Sequence, residues 1–286
     1  MFHEFYQNLP LMINPIALRV GFFSLTWYSL MYLVAFLAIY FLLRWRIKND
    51  AKYFSEIGNI AENLENFFIY SIIGIVIGAR LGYVFFYDPH FFLANPWSIV
   101  SPFDATGNFV GIYGLSYHGG LVGVILAGIF FTRKYKISFW RLADFVIPAV
   151  SAGYFFGRVG NFLNRELYGR ITDSPLGMYF LDENNLVMLR HPSQLYEAFF
   201  EGIVLFIFFW VFRNDKRLAG KFLPLYVLGY GLIRFFIEFY RQPDSQIGLV
   251  FNVLTLGQIF CLIMVVASLI FLWYNLSKEY NQKNKP

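Results

Sequence analysis

Apolar residues run along this chain in long, even blocks separated by short polar and often basic stretches. A helix needs about 20 predominantly apolar residues to cross the roughly 30 Å hydrocarbon core of a bilayer. Blocks of that order predict about seven spanning helices, near residues 24–43, 67–86, 115–131, 142–157, 195–212, 222–239 and 256–274. The fourth is short and holds Pro148, which predicts a kink or a tilt. Segments 88–114, rich in Pro, Phe and Gly, and 161–191 are long enough to form outer interfacial arms or lids. Residues 52–66, with Glu56, Glu62 and Glu65, read as a short amphipathic surface helix on the inner side. No long-period repeat or low-complexity tract interrupts this plan. The pattern predicts an all-α polytopic membrane protein, with residues 1–286 forming a single transmembrane domain.

Composition sharpens that reading. Of 286 residues, 58% are hydrophobic and only 14% charged, against about 25% charged in soluble domains. The net charge of +5 would suit nucleic acid if it formed a basic patch on a soluble face, but the cations are parcelled out between apolar runs. No nucleic-acid partner is expected; the membrane is. Basic loops are retained on the cytoplasmic side. Arg44, Arg46, Lys48 and Lys52 follow the first span, Arg133, Lys134, Lys136 and Arg141 the third, and Arg213, Lys216, Arg217 and Lys221 the fifth, with Lys278, Lys283 and Lys285 in the tail. The alternation predicts an amino terminus outside and a carboxyl terminus in the cytoplasm. No Lys or Arg precedes Arg19, so a cleavable signal peptide is not expected.

Every lysine falls in an inward segment, whereas Arg19, Arg80, Arg158, Arg165, Arg170, Arg190, Arg234 and Arg241 do not. Lysine and arginine serve retention equally. An all-arginine outer set therefore points to what arginine does differently, which is fork-shaped bonding to phosphate or carboxylate.

Within the predicted spans, Tyr230, Arg234, Glu238 and Arg241 recur at intervals of four, four and three and share one face of the sixth helix. An arginine at a helix centre costs about 2.5–3.5 kcal/mol even on a permissive insertion scale, and Glu238 can offset it. A structural ion pair locking two helices would look the same. The run from Gly157 to Glu166 brings Arg158, Asn161, Asn164 and Glu166 together with glycines that admit close backbone approach. His118 opens the third span beside Gly119 and Gly120, and its ordinary pKa of about 6.5 suits proton transfer. Gln194, Glu197 and Glu201 share a face of the fifth span and are expected to pair with arginines from other helices. Tyr28 sits deep enough in the first span for a role beyond an aromatic belt. Cys261 is the single cysteine, so the chain can form neither an internal disulfide nor a cysteine metal site, and any thiol chemistry uses another molecule's thiol. No histidine cluster, nucleotide-binding glycine loop or magnesium-type aspartate motif occurs, so neither metal nor cofactor is expected.

These stretches together resemble the bacterial prolipoprotein diacylglyceryl transferases. The resemblance rests on Trp27 to Tyr32, His118 to Leu121, Gly157 to Glu166 continued by Gly169, Arg190 to Glu197, and Arg234 to Asp244, in order along nearly the whole chain. Ala79 stands where a second glycine is expected before Arg80. The resemblance implies transfer of a diacylglyceryl group from phosphatidylglycerol to the lipobox cysteine of a preprolipoprotein signal peptide, at the outer face of the bacterial cytoplasmic membrane. It carries over His118, Arg158, Asn161, Glu166, Gly169, Arg234 and Glu238, with Tyr28 and Arg241. On this reading His118 is the base, Arg158 and Arg234 bind phosphate, Glu166 and Glu238 orient those arginines, and Asn161 and Tyr230 complete the headgroup site. Buried Arg and Glu pairs also mark transport paths. An anion transporter or channel and a non-catalytic lipid-binding scaffold are therefore the competing classes.

Overall fold

In a computed structural model of the chain, the described residues are 2–21, 23–50, 60–101, 103, 114–182, 184–242, 249–250 and 253–283. Most of the expected inner surface helix, much of the segment 88–114, and Pro243, Asp244 and Lys285 lie outside them.

Nine helices are named here: α1 Phe2–Met12, α2 Trp27–Asn49, α3 Leu64–Phe86, α4 Pro89–Ala94, α5 Tyr117–Tyr135, α6 Phe139–Leu163, α7 Ser193–Phe212, α8 Phe222–Ile237 and α9 Leu256–Lys283. Three antiparallel hairpins join them: β1 Ile16–Val20 with β2 Phe23–Thr26, β3 Met178–Leu181 with β4 Val187–Arg190, and β5 Leu249–Val250 with β6 Leu254–Thr255. The all-α expectation is corrected to that extent. Among the described residues, α2, α3, α6, α7 and residues 256–277 of α9 are long and apolar enough to span a membrane. Helix α8 is apolar but has only 16 residues. Large apolar side chains along the outward faces of these helices are exposed, the arrangement expected where lipid is the solvent.

The chain divides into two compact units, residues 1–50 with 143–286, and residues 51–142. In the first, Ile147, Leu205, Phe209 and Phe222 form a core between α6, α7 and α8. A second core of Phe162, Met178 and Phe180 seats the β3–β4 hairpin on Tyr6 and Leu9 of α1.

Helix α6 corrects the fourth predicted span. It is 25 residues long, not short, and holds Pro148 in its interior. Proline has no N–H for the carbonyl four residues back, here that of Asp144. Arg46 Nη1 donates to that carbonyl at 3.0 Å and to the Phe145 carbonyl at 2.5 Å. The same guanidinium pairs with Asp50 at 3.4 Å, and Asp50 also receives Arg213 at 3.1 Å and Asn214 at 2.9 Å. Arg46 is only 2% exposed. A residue expected to mark a cytoplasmic loop is instead buried and repairs a helix.

In the second unit, α3 and α5 meet along Gly74, Gly78 and Gly82 against Gly119 and Gly123. A Cβ on Gly78 would lie 2.7 Å from the Gly123 Cα, and one on Gly82 2.7 Å from the Gly119 Cα. Only glycine allows that approach. Gly119 therefore serves the helix seam, whereas the sequence suggests that it exposes its neighbour His118. Arg80 donates to the carbonyls of Ser98 at 2.5 Å, Ile99 at 2.8 Å and Gly114 at 3.3 Å, and lies 4.9 Å from the Phe92 ring. It ties down the segment after α3.

Candidate active site

The first unit gathers its buried charges where α6, α7 and α8 pack. One turn apart on α6 stand Tyr154 and Arg158; on α7, Glu197 and Glu201; on α8, Tyr230 and Arg234, with Glu238 capping the helix end. Glu197 Oε2 lies 2.8 Å from Arg158 Nε and 2.6 Å from Arg234 Nη1, so one buried carboxylate bridges the two guanidiniums. Arg234 also has Glu238 at 3.5 Å and Glu201 at 3.8 Å. Such pairing is what makes an arginine tolerable at membrane depth.

Several of these atoms are close by distance yet lack an aligned hydrogen bond: both oxygens of Glu197, Glu201 Oε1, Glu238 Oε2 and Arg234 Nη1. Buried polar atoms are nearly always hydrogen-bonded. Four of the five are carboxylate oxygens and only Arg234 Nη1 is a donor, so charge pairing and not aligned hydrogen bonds holds this cluster together.

Around Arg158 the polar network continues. Its Nη1 donates to Asn161 Oδ1 at 3.3 Å, and Asn161 Nδ2 donates to Glu166 Oε1 at 2.9 Å. Glu166 stands in a turn between Arg165 and Leu167, both with positive φ, which costs non-glycine residues about 1–3 kcal/mol. The start of α7 clamps that turn: Gln194 Nε2 donates to the Glu166 carbonyl at 2.6 Å and Ser193 Oγ to the Leu167 carbonyl at 3.1 Å. Glu238 accepts from Thr255 Oγ1 at 3.2 Å. Thr255 and Gln258 cap the start of α9 reciprocally, each side chain accepting from the other's N–H at 3.1 and 3.0 Å.

The comparisons with known proteins come down on one side. The profile described as prolipoprotein diacylglyceryl transferase matches residues 15–274. The chain belongs to that family. A phosphatidylglycerol–prolipoprotein diacylglyceryl transferase of Chlorobaculum tepidum is 44% identical over 278 residues, covering 95% of this chain and 93% of the relative. Proteins with the same description from Wolinella succinogenes and Aliarcobacter butzleri are 42% and 41% identical, covering 94% and 92% of this chain and 96% and 94% of their own lengths.

In this diacylglyceryl transferase family member the structure brings together Arg158, Asn161, Glu166, Arg234, Glu238 and Arg241, the last 3.7 Å from Glu238. Helix α8 ends at Ile237, so Glu238 is its cap and Arg241 lies in the turn beyond, off the single helical face that spacing predicts. Tyr230 stacks edge-on against Tyr154, ring centroids 5.9 Å apart. The expected partner of Arg158 is corrected: Glu197 contacts it, and Glu166 reaches it through Asn161. Tyr28 starts α2, its N–H donating to Asn164 Oδ1 at 3.0 Å and its ring 4.6 Å from Tyr32. Gly169 threads between main-chain segments; its N–H donates to the His191 carbonyl at 2.8 Å, and a Cβ there would lie 2.7 Å from that oxygen. His118 belongs to the second unit, exposed in the first turn of α5 behind the Ser116 cap.

Sequence reasoning pairs Glu197 and Glu201 with arginines but leaves them out of the site, and it misses Tyr154. Their signal is a four-residue spacing, Tyr154 to Arg158 and Glu197 to Glu201, inside otherwise apolar helices. The outer arginines also divide. Arg80, Arg165, Arg170 and Arg190 each donate to main-chain carbonyls, so backbone clasping accounts for part of the arginine preference.

Proposed function

We propose that Arg158 and Arg234, bridged by Glu197, hold the phosphate of phosphatidylglycerol while this transferase moves its diacylglyceryl group to a prolipoprotein. The protein is a membrane enzyme of lipoprotein maturation. The acceptor is the lipobox cysteine of a preprolipoprotein signal peptide. Its thiolate attacks the glycerol carbon next to the phosphate, the carbon–oxygen bond breaks, a thioether forms, and glycerol phosphate leaves with the bond's electron pair. A cysteine thiol has an ordinary pKa of about 8.5, so the reaction needs a proton acceptor, and His118 fills that role. The leaving group gathers charge on an oxygen that guanidinium donors stabilise. Asn161, Glu166, Tyr230, Glu238 and Arg241 shape the headgroup site, and Tyr28 and Gly169 border it.

The observation that carries this reading is the pair of half-buried arginines sharing one fully buried carboxylate. A lone cation could hold a phosphate; two held at fixed spacing can follow it into a departing anion. The rest of the reading is a single transmembrane domain over residues 1–286, with about seven spans in the cytoplasmic membrane, an outer amino terminus and an outward-facing site. Exposed Leu93 (80%) and Trp97 (77%) support an interfacial arm after α3.

The test is purified protein in phosphatidylglycerol vesicles with a lipobox peptide, read by mass spectrometry. The expected product is a diacylglyceryl mass gain on the peptide cysteine, and its absence would overturn the reading. If His118→Gln kept near-full transfer activity, the base assignment would be wrong.

A further inference from the structure

We infer that Tyr154 and Glu201 act as positioning residues for Arg158, setting which edge of its guanidinium faces the substrate. The inference rests on the reading of Arg158 as a phosphate ligand. Arg158 Nε donates to the Tyr154 hydroxyl at 2.8 Å, and that hydroxyl donates in turn to Glu201 Oε2. The arginine carbon Cζ lies 4.9 Å from the centroid of the same ring. One tyrosine therefore holds Arg158 by its oxygen and by its face.

The backbone supports the arrangement. Glu201 lies within a π-helical stretch, Ala198–Val204, inside α7; such single-turn insertions cluster at functional sites. Next to it, Gly202 packs on α6: a Cβ there would lie 2.8 Å from Phe155 Cβ and 2.9 Å from Phe155 Cα. That approach brings Glu201 beside Tyr154. Glu201 is fully buried, and its other oxygen, Oε1, sits 3.8 Å from Arg234 Nη1. The pair thus links the Nε edge of Arg158 to the neighbourhood of Arg234. With Nε engaged by Tyr154 and Glu197 and Nη1 donating to Asn161, Nη2 is the Arg158 nitrogen left to meet an anion.

Tyr154→Phe keeps the ring and deletes the relay oxygen. In the vesicle assay with lipobox peptide it should lower kcat about 10- to 100-fold, the scale expected when a reacting group is misplaced by about an ångström. KM for phosphatidylglycerol should stay within about threefold, because the headgroup still finds both arginines. Glu201→Gln retains an acceptor oxygen for Tyr154 and should keep more activity than Glu201→Leu. In the Tyr154→Phe background, Glu201→Leu should cost little more, because the relay is already cut. Melting in detergent separates misfolding from mispositioning. Tyr154→Phe within twofold of wild-type kcat, a loss confined to KM, or fully additive losses in the double variant would each overturn the inference. Wild-type protein that produced no lipidated peptide would instead overturn the phosphate-site reading beneath it.

Discussion

Glu197→Gln is the sharpest test of the arginine bridge, because it keeps the side chain's volume and removes only its charge. Arg158 Nε and Arg234 Nη1 contact the same oxygen, at 2.8 and 2.6 Å. The two nitrogens are therefore no more than about 5.4 Å apart, and unit charges at that distance repel by ~3 kcal/mol at an effective dielectric of ~20. Arg234 keeps Glu238 and Glu201 nearby, and Arg158 keeps Asn161, so part of the penalty is absorbed. Removing one member of a buried pair typically costs about 3–5 kcal/mol, and a loss of roughly 2–4 is expected here. The splayed guanidiniums should also lower the rate about 100-fold. Thermal melting in detergent reads the first effect, and transfer to a lipobox peptide in phosphatidylglycerol vesicles reads the second. A variant that melts with wild-type protein and turns over within twofold of it would refute the claim that Glu197 holds the two arginines.

Arg46→Met should destabilise the fold by about 2–5 kcal/mol by removing the donor that stands in at the Asp144 carbonyl and the ion pair to Asp50, with little change in the activity of the protein that remains folded; melting and specific activity check this. Gly78→Ala places a methyl against the Gly119 and Gly123 backbone and should cost roughly 1–3 kcal/mol, read as a lowered melting temperature. Desolvation holds the His191 ring below its ordinary pKa. Between that lowered value and the unfolded value near 6.5, the unfolded chain binds more protons. The stability His191 contributes is therefore present above about pH 6.5 and lost as pH falls through the folded pKa. His191→Asn should flatten the fall of melting temperature between about pH 7 and pH 5, and an unchanged slope would exclude His191 as a source.

Much of this molecule is legible in its sequence because lipid imposes few options. A spanning block must be helical and apolar, so five of the predicted spans appear as long apolar helices. The charged residues inside such blocks must find one another, and Arg234 with Glu238, and Glu197 and Glu201 with the arginines, do so. What escapes are features set by tertiary context. The hairpin β3–β4 and helix α1 stabilise each other through Phe180, Met178 and Tyr6, and neither segment carries a strong pattern alone. Pro148 reads only as a kink or a tilt because the donor that serves the carbonyl it leaves open lies about a hundred residues earlier. Tyr154 reads as one aromatic among many in a chain with 20 tyrosines, and only its neighbours set it apart.

The repair of α6 by Arg46 also constrains the order in which the chain assembles. The arginine is synthesised 98 residues before the first carbonyl it serves. Until α6 arrives, Arg46 has neither of its helix acceptors and its charge belongs in water at the membrane surface. When residues 144–148 take their place, the same charge moves inward and completes a helix that proline left one bond short. Arg46, near the end of α2, thus ties its own helix to one that follows about a hundred residues later, and α6 is complete only when the two are together.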